Sequence, residues 1–189
     1  MSWLKLSTGS SYSVSRVTVY TALGRIDITA SGKGLLALTL TRQSPRKAKQ
    51  QPPRQLTDLV ERLQAYFNGN KGTFRDDKLD LSAAKPFQVK VWEITRLIPY
   101  GETRSYRWVA EQIGQPAAAR AVGQALARNP LPVIIPCHRV VASDGKLGGY
   151  SGGLETKKTL LRLENVNLPS PSRSGTPVRI ARPAPRRQN

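Results

Sequence analysis

The chain contains a single cysteine and a single histidine, and they are neighbours. They stand as Cys137-His138 inside Ile134-Ile135-Pro136-Cys137-His138-Arg139-Val140-Val141. A thiolate is a strong nucleophile, and an imidazole is the usual base beside it. One thiol alone forms no internal disulfide and no multi-thiolate metal site. The competing reading is a buried, inert thiol: free cysteine behaves as a small hydrophobe, and Cys137 follows the apolar run Val133-Ile134-Ile135. Adjacent side chains diverge in both helix and strand, so only a turn brings the two groups to one place. Pro136 predicts such a break in regular structure.

The elements that must position this pair fall into two groups. Residues 14–20, 25–29 and 35–40 alternate apolar and polar side chains or are rich in β-branched ones, with Gly24, Gly32 and Gly34 between them. They predict an antiparallel meander. Leu56, Leu59, Val60, Leu63 and Phe67 follow helical spacing up to Asn68-Gly69. Residues 41–54, basic and proline-containing, read as a loop, and 69–85 as irregular. The second half reads as helices. One is marked by Phe87, Val91, Ile94 and Ile98, and a short one is capped by Ser105 and carries Tyr106 and Val109. A third spans residues 117–128 and a last one 154–164. The short helix and its successor, joined by a turn with Gly114, resemble a helix-turn-helix, although an ordinary helical hairpin is commoner. The third helix is nearly without bulk: Ala117, Ala118, Ala119, Ala121, Gly123, Ala125 and Ala127 alternate with Arg120, Gln124 and Arg128. Such a face suits close helix packing, and it also suits entry into a narrow nucleic-acid groove. Gly148-Gly149-Tyr150-Ser151-Gly152-Gly153 lacks the phosphate-loop patterns and reads as a mobile wall over a pocket.

The fold class expected is therefore α/β (α+β): a small N-terminal domain with an antiparallel sheet and a helix, residues 1–75, a linker at 76–85, and a mostly helical C-terminal domain, 86–168. The remaining segment, 169–189, is rich in proline and arginine and reads as disordered. Net charge is +18. The excess is spread widely, with 14 basic and 6 acidic side chains over residues 1–85 and 11 against 6 over 86–168. Such a surface attracts polyanions, nucleic acid first among them; a generally basic, solvated surface is the alternative. No run approaches membrane-spanning length, and residues 1–14 show no signal-peptide pattern. A free thiol without a secretion signal suits a reducing intracellular compartment.

Together these residues resemble the O6-alkylguanine-DNA alkyltransferases, the methylated-DNA–protein-cysteine methyltransferases. The resemblance rests on Ile135-Pro136-Cys137-His138-Arg139-Val140-Val141, on Ala118-Ala119-Arg120-Ala121-Val122-Gly123 with Asn129-Pro130, on Gly149-Tyr150-Ser151-Gly152-Gly153-Leu154, and on Lys157, Leu160, Leu161 and Glu164. It covers roughly residues 86–166. It implies a C-terminal winged helix-turn-helix and direct DNA repair. The protein would flip an O6-alkylguanine (or an O4-alkylthymine) out of duplex DNA and move the alkyl group irreversibly onto its own cysteine, once per molecule and with no cofactor. Cys137 would be the acceptor, His138 the base acting through a water, and Glu164 its orienter. Asn129 would fix the turn presenting Cys137, and Tyr106 would protonate the leaving guanine. Arg120 would fill the space vacated by the flipped base, and Arg128 would contact phosphate. Ala119 and Gly123 would lie against the minor groove. Backbone groups at Val140 and Ser151 would read the base, with Tyr150 as pocket wall, and Lys157 would lie near the site. The implied partner is double-stranded DNA bound by a monomer, with cooperativity left open. The implied location is cytoplasmic and nucleoid-associated in a prokaryote, or nuclear in a eukaryote. A non-catalytic lesion sensor and a thiol hydrolase are the competing functions. Some family members carry an N-terminal zinc; this chain has no thiol or imidazole outside 137–138 with which to ligate one.

Overall fold

The structure, a computed structural model, describes residues 14–21, 23–41 and 51–166. The expected disordered tail and the middle of the 41–54 loop lie outside the described residues. The architecture is mixed α/β, as the pattern predicts. β1 (Ser15–Thr21), β2 (Gly24–Ser31) and β3 (Gly34–Thr41) form an antiparallel sheet in that order. The register pairs Val17 with Ile28 and Val19 with Ile26, so the apolar set of each strand falls on one face. α1 (Thr57–Phe67) covers that face, burying Leu59, Val60, Leu63, Tyr66 and Phe67.

The outer edge of β3 does not face solvent along its length. Leu35 N donates to Lys78 O and Asp80 N to Leu35 O, both at 2.8 Å. Residues 78–80, within the segment expected to be a linker, are thus stitched to the sheet. Farther along, Leu38 N donates to Pro130 O at 2.8 Å, which joins the sheet to the turn ahead of Cys137. Two arginines hold the intervening chain: Arg62 pairs with Asp77 at 2.6 Å and reaches Thr73 O, and Arg96 donates to the carbonyls of Phe74, Arg75 and Asp77.

The second half is built from α2 (Pro86–Arg96), α3 (Tyr106–Gln112), α4 (Ala119–Ala127) and α5 (Leu154–Leu163). Ser105 caps α3 by accepting from Trp108 N at 3.0 Å, as expected. α2 and α4 are joined by Trp92 Nε1, which donates to Ala125 O at 3.0 Å. β4 (Arg104–Ser105) and β5 (Val140–Val141) pair in parallel. This short ladder matters more than its size suggests: it places Tyr106, the first residue of α3, beside the strand that follows Cys137. One continuous apolar cluster runs from the sheet through α1 and α2 to Leu160 of α5.

Candidate active site

Cys137 opens a short 3-10 turn, Cys137–Arg139, immediately after Pro136. The turn resolves the adjacency problem, because both side chains leave it into the interior: Cys137 is 5% exposed and His138 not at all. The segment before it is strained. Val133 has φ 75°, a left-handed value that a β-branched residue rarely adopts, at a cost on the order of 1–3 kcal/mol. Asn129 holds the chain in that shape. Its Oδ1 accepts from Leu131 N at 2.9 Å, and its Nδ2 donates to Ile135 O at 2.8 Å. The same Nδ2 lies 3.0 Å from Cys137 Sγ. Asn129 is therefore both the brace of the turn and a donor to the sulfur.

Behind the cysteine, Glu164 collects five donors. Its Oε1 receives Tyr66 Oη at 2.6 Å and His138 Nε2 and Arg139 Nη2 at 2.9 Å each; its Oε2 receives Arg139 Nε at 2.9 Å and Gly101 N at 3.2 Å. Gly101 has φ 78°, and a Cβ there would meet the Glu164 carbonyl at 3.2 Å, so glycine allows this approach. Burial alone would push the carboxyl up. The hydrogen bonds and charges of His138 and Arg139 overcome this and hold it well below the usual carboxylate range. An ionised carboxylate only accepts, so the His138 proton sits on Nε2. Nδ1 is then a bare lone pair, and it has no hydrogen-bond partner among the described residues. Burial, with help from Arg139 and Lys157, lowers the His138 pKa despite Glu164, which leaves the imidazole neutral.

Burial raises the Cys137 thiol pKa, while the Asn129 donor, the Lys157 charge and the Tyr150 hydroxyl pull it down. The resting sulfur is therefore a thiol. Lys157 is wholly buried on α5 and donates to the carbonyls of Val140, at 2.6 Å, and Leu147. Burial lowers its pKa to about 8, against the pull of the cysteine's charge. The Tyr150 hydroxyl is close enough to the sulfur for each to shift the other's ionisation, but it makes no well-formed hydrogen bond.

In front of Cys137 lies a cavity of about 710 Å³. Tyr106, Ala119, Arg120, Gly123, Tyr150 and Ser151 line it together with the cysteine. Tyr106 Oη donates to Gly149 O at 3.2 Å, and burial raises its pKa, as does the neighbouring cysteine. Gly148, at φ 67°, lies against that tyrosine: an added Cβ would come within 2.8 Å of the ring. Arg120 and Arg128 are exposed, with Arg120 at the cavity rim and Arg128 outside it. Val140 is fully buried outside the cavity lining and its carbonyl is taken by Lys157, an engagement the sequence did not suggest. Sequence reasoning also missed Tyr66, and gave no role to Arg139. The apolar stripe of α1 hid the first, and the second was quoted only as part of a motif.

Known proteins resemble this chain in sequence and fold. Residues 86–166 match the family described as 6-O-methylguanine DNA methyltransferase, DNA binding domain, and residues 16–81 match its ribonuclease-like domain. A methylated-DNA–protein-cysteine methyltransferase of Mycobacterium tuberculosis is 42% identical over 156 residues, covering 81% of this chain and 93% of that one. Its namesake in Mycolicibacterium paratuberculosis is 52% identical over 118 residues, 62% of this chain and 70% of the other. The crystal structure of Mycobacterium tuberculosis OGT in complex with DNA superposes with a TM-score of 0.67 at 43% identity, covering 78% of this chain and 90% of that one. With both halves matched in order and the cysteine, histidine and glutamate assembled in one site, the chain belongs to the methylated-DNA–protein-cysteine methyltransferase family.

Proposed function

We propose that this protein repairs alkylated guanine in duplex DNA by a single transfer onto Cys137. One observation carries the reading: the sulfur sits at an open cavity, braced by Asn129, beside an imidazole whose Nε2 is committed to Glu164. His138 Nδ1 takes the thiol proton through an intervening water. Sγ attacks the alkyl carbon, the carbon–oxygen bond breaks, and its electron pair leaves on the guanine. Tyr106 delivers a proton to that base, so no free anion departs. The products are a thioether and intact guanine. Lys157 and Asn129 hold the charge on sulfur while it exists.

The DNA face is α4. Its inner side packs Val122, Ala125 and Leu126, and its outer side presents Ala119, Arg120, Gly123 and Ala127 around the cavity. A Cβ at Gly123 would meet nothing closer than 3.8 Å, so the protein's own packing does not demand glycine there. A small face beside two exposed arginines suits a minor groove, with Arg120 filling the stack and Arg128 on phosphate. The protein acts as a monomer, in whichever compartment holds the DNA. Among the described residues no helix is long and apolar enough to cross a membrane.

The test is incubation with duplex DNA containing O6-methylguanine, followed by intact mass and peptide mapping. One added methyl on Cys137 and restored guanine are expected. An unchanged mass with tight binding would point to a lesion sensor instead.

A further inference from the structure

We propose that Tyr66, supplied by the N-terminal half, is a positioning residue for the transfer: its hydroxyl shares Glu164 Oε1 with His138 and thereby keeps the imidazole a neutral base with Nδ1 free for the thiol. The inference rests on the proposed reaction and adds to it a residue 72 positions away from the histidine.

Five donors converge on a carboxylate that offers about four lone-pair sites, so they compete. Tyr66 makes the shortest of these bonds, at 2.6 Å, on the oxygen that also receives His138. Each donor draws charge from that oxygen and leaves less to stabilise an imidazolium. The groups acting on His138 come from three directions: Glu164 beyond the end of α5 and Lys157 within it, Arg139 on its own turn, and Tyr66 from α1. Only Glu164 favours the protonated ring; burial, Arg139 and Lys157 oppose it. Tyr66 weakens the one attraction that would fill Nδ1 with a proton. Glu164 in turn faces Tyr100 as well as Tyr66, His138 and Arg139.

The hydroxyl is held in place by its ring. Tyr66 is 0% exposed and meets Phe67, Phe74 and Tyr100 edge to face at 5.1, 5.8 and 6.1 Å between centroids. Tyr66→Phe keeps those contacts and removes only the donor, and it leaves Glu164 with four partners.

The experiment follows transfer from free O6-benzylguanine to Cys137 by intact mass, in wild type and full-length Y66F, between pH 5.5 and 9. Loss of the hydroxyl moves the acid limb of the profile upward by about one unit, so the rate falls by up to about tenfold on the acid side of both midpoints and the deficit shrinks as pH rises. Because the chain has one histidine, its ring 15N signals belong to His138, and their titration midpoint rises in parallel. A purely structural tyrosine would lower the melting temperature and leave both midpoints where they were; that result overturns the inference. Site-specific 3-fluorotyrosine at position 66, a stronger donor, must move both midpoints the other way, which keeps the test decisive if Y66F folds poorly. A wild type that gains no benzyl group sinks the proposed reaction itself, whereas a reactive wild type with unmoved Y66F midpoints sinks only the role of Tyr66.

Discussion

Behind Cys137, Glu164 and His138 are at most 1% exposed, and the carboxylate is fully engaged by donors. In front, Arg120, Gly149 and Ser151 are exposed around a cavity of about 710 Å³ whose walls are largely small residues. The rear wall is buried and ionic; the front is open and lined mostly by small side chains. Reaction chemistry depends on charge placed in advance at fixed distances, which a buried cluster supplies. Recognition of a base extruded from a helix needs room and close approach, which alanine and glycine supply. In the proposed reaction the two sides meet at Cys137 and at Tyr106, which lines the cavity and faces the cysteine.

Substitutions should separate the two sides. Cys137→Ser should abolish the mass gain while leaving DNA affinity within about twofold, since the front wall is untouched. Glu164→Gln should slow transfer by two orders of magnitude or so and destabilise the fold by about 3–5 kcal/mol, because Arg139 would then lie buried without its counter-charge. Single-turnover kinetics and urea midpoints read the two effects separately. Arg120→Ala should slow repair of duplex DNA about tenfold and spare reaction with free O6-benzylguanine; equal losses would remove Arg120 from the flipping step.

Just below neutral pH, acid should act on the rear wall through His138. The folded His138 pKa lies below its ordinary 6.5, so below that pH the unfolded chain binds a proton that the folded protein refuses. Stability should therefore decline as pH falls below 6.5, by about 1.4 kcal/mol per unit for this proton, and decline further below 4.5, where Glu164 behaves likewise. In His138→Gln the slope between pH 5 and 6.5 should vanish. The smallest effect is expected at Gly123→Ala, a gain of about 0.5–1 kcal/mol in stability, because alanine is the better helix former and its Cβ would make only ordinary contact with the Tyr106 ring at 3.8 Å. Any larger effect on duplex binding would place that face against DNA.

The sheet was legible because alternation is a local signal: Val17, Val19, Ile26 and Ile28 announce one buried face within a few residues. Cys137 and His138 were legible by rarity, and the Ser105 cap by chemistry. Glu164 came only through family resemblance, since nothing local distinguishes it from the other acids. Tyr66 was not legible at all. Its hydroxyl meets Glu164 across 98 positions of sequence, and in α1 it simply completes an apolar stripe. Residues 78–80 read as linker because their pairing to β3 is a tertiary event with no hydrophobic period of its own.

The bond from Leu38 N to Pro130 O bears on how far such a protein can be recombined. The two matched regions end at residue 81 and begin at 86, which invites exchange of one half for that of a relative. Yet the middle of β3 is fastened to the turn that Asn129 braces, and α1 reaches Glu164 from the other side. A graft joined at residue 83 would inherit a seam that passes through the turn holding Cys137. Modularity in this chain belongs to its sequence, and the working unit is the whole.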